Sequence, residues 1–224
     1  MNDNKDDISN SDLEYNLILL GDSSINKTGL MKKLTLGTFK EKNVSTIGID
    51  KRTLELKCNL EEKDGTVISK NVKINLINTA GQERYRSLAK SYYLNSDAAL
   101  LLYDITEKQT FDDVDYWIKS IGESINIDEK KYVIFLLGTK IDLVVFGKKE
   151  RKVKEEDAKL KCEQNKLHWG GEISIEEFSE EKLKIIFAGF VNIIYKNLGI
   201  KKEKTKTVDI TRYKRKEKRD KKFC

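Results

Sequence analysis

A six-residue apolar run at positions 15–20 (YNLILL) stops at Gly21, gives way to the polar stretch GDSSINKT, and leads into a helix-period segment. In that segment Leu30, Leu34 and Leu36 lead to Phe39. A buried strand that delivers a glycine-led loop to a helix N-terminus is a tight constraint, because the loop and the first helical turn aim backbone N–H groups at one point. The pattern G-x-x-x-x-G-K-[ST] uses this geometry to hold phosphate, with the Lys as a mobile positive charge and the hydroxyl on Mg²⁺. Gly21, Lys27 and Thr28 are in place, Ser23, Ser24 and Ile25 fill the variable positions, and Asn26 stands at the second glycine. That position calls for φ > 0, which glycine adopts freely and Asn tolerates better than most residues. The loop shape is expected to survive, with the Asn26 side chain crowding the phosphates and lowering affinity. Alone, the stretch reads better as a polar turn with a chance lysine.

The rest of the chain supplies the setting. Strands are expected near residues 49–60 and 72–77, joined through Asp64-Gly65, a strong hairpin signal. Further apolar segments lie at 98–103 (AALLLY), at 132–137 (YVIFLL) and, more weakly, up to Ile173. Helix-period faces are formed by Phe111, Val114, Trp117, Ile118 and Ile121, and by Leu183, Ile186, Phe187, Phe190, Val191 and Ile194. Alternating units with continuous apolar strands imply an α/β fold, a mostly parallel sheet covered on both faces. The hairpin extension at 57–71 is read as a tolerated insertion in preference to a contact surface, since surface insertions cost little.

Charge divides the 224 residues unevenly. Residues 201–224 hold twelve Lys or Arg against four Asp or Glu, which leaves 31 basic and 33 acidic residues in 1–200. The folded body is near neutral and does not look like a nucleic-acid-binding surface. Residues 1–12 read as a disordered acidic arm, 13–199 as the domain, and 200–224 as a disordered polybasic tail ending in Cys224. Cys58, Cys162 and Cys224 form no CxxC pair, and the polar opening is no signal peptide, so a cytosolic protein with reduced thiols is expected. Cys58 and Cys162 are assigned to packing. The single His168 reads as a partly buried structural residue.

Several downstream stretches resemble one family. NTAGQERYRSL at 78–88 is similar to the Rab DTAGQERFR segment, STIGID at 45–50 to the Rab STIGVDF switch, and LLLYDIT at 100–106 to its VYDVT region. GTKIDL at 138–143 resembles the guanine-reading NKxD element. Together these identify a divergent Rab-like small GTPase over roughly residues 13–198, with a six-stranded phosphate-loop fold. The resemblance implies GTP/GDP and Mg²⁺ as ligands. It puts Phe39 on the guanine, and Thr46 and the Gly81 amide on the γ-phosphate, with Thr28 and Thr46 on the metal. Gln82 would orient the attacking water, Asp142 would accept from guanine, and Lys140 would lie along the base. Ser174 and Ile175 would sit at the Ser-Ala positions of the ETSAK element. Expected partners are an exchange factor, a GTPase-activating protein and effectors, with the chain a monomer. Cys224 beside the basic tail implies prenylation and peripheral attachment to the cytosolic face of an internal membrane.

The departures are as informative. Asn78 replaces the acidic residue that supports Mg²⁺ through water, which should weaken the metal. Thr139 replaces the Asn of NKxD, and Glu176 stands where the family has Lys. The Rab aromatic triad falls on Lys51, Ile77 and Tyr92, so two aromatics are lost. Two functions compete: a slow GTP-hydrolysing switch in vesicle trafficking, and a pseudo-GTPase acting as an interaction module. A small-molecule kinase is a weak third.

Overall fold

A computed structural model describes residues 12–37, 49–79 and 92–199, apart from the side chains at 49, 79 and 128. Six strands form one sheet in the order β2-β3-β1-β4-β5-β6. They are β1 (Leu13–Leu20), β2 (Ile49–Glu61), β3 (Val67–Thr79), β4 (Ala98–Asp104), β5 (Val133–Thr139) and β6 (His168–Ile173). All neighbouring pairs are parallel except β2 with β3, which is antiparallel. The helices are α1 (Lys27–Leu36), α2 (Lys108–Asp112), α3 (Val114–Ser124), α4 (Ile127–Lys130), α5 (Ile141–Val145), α6 (Glu155–Asn165) and α7 (Glu180–Leu198).

The two faces of the sheet carry separate cores. Leu17 and Leu19 of β1 point to one face with Leu30 and Leu34 of α1 and Phe187 and Val191 of α7. Ile18 and Leu20 point to the other, with Trp117 and Ile121 of α3 and Cys162 of α6. This is the period-2 alternation of a strand buried on both sides, and it explains why β1, β4 and β5 read as unbroken apolar runs. His168 is half-buried against the Phe135 ring, 5.7 Å between centroids, and burial lowers its pKa. Cys58 and Cys162 are buried and free, and burial pushes each thiol up to about 11, away from reactivity. No described helix is long and apolar enough to cross a membrane.

Three expectations need correction. The first helix stops at Leu36, where Gly37 turns left-handed at φ 64° and donates its N–H to the Lys33 carbonyl. Leu36 is therefore 56 % exposed and not part of the buried face. β3 begins at Val67, five residues before the predicted start. The segment 57–71 is paired through its strands, since the ladder runs unbroken from Ile49↔Thr79 to Glu61↔Val67. Leu56, just before it, and its inner residues Cys58 and Leu60 join the core under α7, alternating with exposed Lys57 and Asn59. The hairpin end is pinned to α7 by Asn192, which accepts from the Glu61 N–H at 3.2 Å, by Lys196 on Glu61 at 2.6 Å and by Tyr195 on Glu62. Asp12, assigned to the arm, already exchanges hydrogen bonds with Asn71.

Candidate functional site

β1 lies between β3 and β4, so the chain leaves it toward one side of the sheet and returns on the other. A ligand crevice forms at the carboxyl end of a strand at such a switch point. Registers place the ends of the other parallel strands at the same edge: Leu19 pairs with Asn78, Asp104 with Thr139, and Thr139 with Ile173. The residues singled out from sequence at 21–28, 78, 139–142 and 174–175 all follow or end these strands.

Gly21 opens the loop at φ +136°, and a Cβ there would lie 2.5 Å from the Leu102 carbonyl oxygen, so only glycine fits. Ser23–Ile25 form one 3₁₀ turn with both serines exposed. The Ile25 side chain is fully buried in the core, which leaves only its backbone to face a ligand. Lys27, 4 % exposed, lies back across the loop and donates to the carbonyls of Gly21 (2.6 Å) and Asp22 (2.8 Å). Burial lowers its pKa to about 8, against an opposing pull from Asp22.

Asn26 takes the left-handed conformation, φ 62° and ψ 44°. Its side chain does not follow the expected crowding. It caps α1, with Oδ1 accepting the Gly29 N–H at 3.0 Å. Asn78 is fully buried and donates from Nδ2 to the Thr28 hydroxyl at 2.8 Å. A carboxylate would bring charge to that hydroxyl; the amide brings a hydrogen bond alone. The donor set thus suits phosphate well and a divalent cation less well.

The opposite side is built from side-chain braces. Thr139 is fully buried and spends its hydroxyl on the Tyr103 carbonyl at 2.8 Å, stitching β5 to β4. Lys140, left-handed at φ 66°, pairs with Asp104 at 2.7 Å. Burial would raise the Asp104 carboxyl, but hydrogen bonds from Lys140 and Thr106 outweigh it and hold its pKa below the usual range. Asp142 lies in the first turn of α5 and is 8 % exposed. Ser174 is buried and accepts the Glu177 N–H at 2.9 Å. Ile175 turns its side chain into the core, while Lys33 of α1 takes its carbonyl at 2.8 Å and that of Glu176 at 2.6 Å. Glu172 forms a two-pronged pair with Arg151 at 2.6 and 2.7 Å.

Lys33, Asp104 and Gly29 are site-shaping residues that the sequence reading passed over. A lysine in a helix reads as a solvent-facing residue, and a glycine in the first turn reads as neutral. Lys51 and Ile77 are opposite each other on β2 and β3, with the Lys51 ammonium 5.1 Å from the centre of the Tyr92 ring. Phe39, Thr46, Gly81, Gln82 and Cys224 lie outside the described residues, as do the arm at 1–11 and the tail at 200–224.

A glycine-led loop with a buried lysine, at the carboxyl end of the central strand of a mostly parallel sheet, places this chain among the phosphate-loop α/β folds. Comparison with known proteins narrows the class, since the family model described as Ras family matches residues 16–196. The chain is 30 % identical over 190 residues to Ras-related protein rab-11.1 of Caenorhabditis elegans, covering 85 % of this chain and 81 % of that one. It is 32 % identical over 186 residues to Ras-related protein Rab11A of Lotus japonicus, covering 83 % and 75 %. GTP-binding protein YPT52 of Saccharomyces cerevisiae is 39 % identical over 132 residues, covering 58 % and 55 %. The chain belongs to the Ras family, as a divergent Rab-like small GTPase.

Proposed function

We propose that the chain binds GDP and GTP at this edge, hydrolyses GTP slowly, and works as a switch that recruits effectors in membrane trafficking. The observation that carries the reading is the Lys27 ammonium, buried across a loop that only glycine can open. A cation held there by two carbonyls gains more from phosphate oxygens than from those dipoles. Lys27 and the loop N–H groups would bind the phosphates. Asp142 would accept hydrogen bonds from the guanine N1 and N2 groups, which adenine cannot offer. The Asp104 pair keeps the Lys140 stem in one place, available as a floor for the base. Mg²⁺, held by the Thr28 hydroxyl and the nucleotide's own phosphates, would supply charge neutralisation, with Asn78 adding none.

The parts that would sense the third phosphate, Thr46 and Gly81, and the water-orienting Gln82 rest on the resemblance, as does Phe39 on the base. Hydrolysis in such a site is slow until a partner supplies an arginine. Exchange factors, activating proteins and effectors would engage the switch segments. A prenyl group on Cys224 beside the basic tail would give two-signal attachment to the cytosolic face of an internal membrane. The test is to denature the purified protein and identify released nucleotide by chromatography. Stoichiometric GDP or GTP is expected; a folded but empty protein would leave the interaction-module reading in its place.

A further inference from the structure

We propose that Asn26 and Gly29 are a matched pair that holds the phosphate loop in shape. The inference deepens the phosphate-binding reading of that loop and rests on it. Asn26 supplies the left-handed turn at φ 62° that a glycine would otherwise supply. Its amide needs somewhere to go, and it lies over the first turn of α1, accepting the Gly29 N–H at 3.0 Å. Its own carbonyl receives the next N–H, that of Leu30, at 3.1 Å. The side chain therefore satisfies one of the donors that a helix start leaves without partners, while the backbone carbonyl of the same residue accepts the first bond of the helix itself.

The space for that amide exists only because residue 29 has no Cβ. A Cβ at Gly29 would lie 2.5 Å from the Asn26 Oδ1 and 2.7 Å from both Cγ and Nδ2. Gly29 sits in regular helix with no positive φ, so its backbone does not call for glycine, and glycine weakens a helix relative to alanine. Helical Gly122 and Gly189 differ, since a Cβ at either meets nothing within 4 Å. A side chain at 29 would have to drive the Asn26 amide off the helix N-terminus or shift the loop itself. The first movement strips the Gly29 N–H of its cap and frees the loop to shift, and the second re-aims the N–H groups offered to phosphate directly. The substitution at the loop's second glycine is thus accommodated three residues later, and Asn26→Gly is not expected to improve binding.

The test is a double-mutant cycle on the full chain: Asn26→Gly, Gly29→Ala and the two combined, with Gly122→Ala as the control. Two quantities are read: affinity for ribose-labelled fluorescent GDP, and the melting midpoint without nucleotide. Gly29→Ala should weaken GDP binding about tenfold and lower the midpoint in the native chain. With Asn26→Gly present, the same change should alter affinity less than about twofold and raise the midpoint, as Gly122→Ala does. Equal midpoint shifts in both backgrounds overturn the pair. Measurable GDP binding with equal affinity losses in both overturns its role in the loop. A native chain that binds no GDP sinks the nucleotide reading instead, and the midpoint cycle alone then decides the pair.

Discussion

The two sides of the site are held by different means. The proposed phosphate side is mainly backbone, with Gly21 under the Leu102 carbonyl and Asn26 in a left-handed turn, and one buried lysine side chain lies across them. The proposed base side is braced by four side chains: Thr139 to β4, Lys140 to Asp104, Arg151 to Glu172, and Lys33 of α1 to the 175–176 carbonyls. A backbone cradle tolerates substitution only where the new residue adopts the same φ and finds room for its side chain, as Asn26 does. A braced loop tolerates substitution wherever some other group supplies the brace. Between the two sides, Asn78 has kept a contact with Thr28 and lost a charge.

The largest test of this contrast is Lys27→Met. Loss of the ammonium's charge-assisted hydrogen bonds to phosphate should lower GDP affinity about 100-fold, measured by titration. A loss near twofold would mean that the cradle does not bind phosphate through this lysine. Next in size is a pH effect on the same side. Burial holds Lys27 near 8 in the free protein, whereas phosphate oxygens favour its charged form, so binding above that pH takes up a proton. Affinity should be level below about pH 8 and fall by up to about tenfold per unit above it. An affinity that rises with pH would contradict the sign.

Lys33→Met probes the braced side. One buried and one partly buried carbonyl would lose their donor, at a cost of about 2 kcal/mol in stability, and GDP release should quicken about tenfold. Unchanged release with lowered stability would make Lys33 a fold element alone. The smallest effect is expected far from the site. Lys196→Ala removes an exposed pair with Glu61 at the hairpin end and should cost no more than about 0.5 kcal/mol in a denaturation curve, without altering nucleotide affinity.

The sequence showed these features unequally. Strands β1, β4 and β5 and the buried faces of α3 and α7 were legible because their signals are periodic and local. The phosphate loop was legible as a motif, and Asn26 even in its backbone conformation. Where its side chain would go was not, because the answer depends on the missing Cβ of Gly29 and on a helix start in three dimensions. Lys33 and Asp104 were hidden for a related reason: each does its work on a partner far away in sequence or across the sheet. The start of β3 was missed because Ser69, Lys70 and Asn71 carry little apolar signal, and their pairing is set by the partner strand.

The central claim is that both sides still form one guanine-nucleotide site despite Asn26, Asn78 and Thr139. Parallel titrations of the nucleotide-stripped full chain with GDP and ADP in the presence of Mg²⁺ test it most directly, since the two ligands share phosphates and differ in the base. The account predicts GDP binding at least about 100-fold tighter than ADP, the discrimination expected when buried polar groups are matched by one base and left unpaired by the other. Equal affinities would contradict the base side, and no binding of either would contradict the account as a whole.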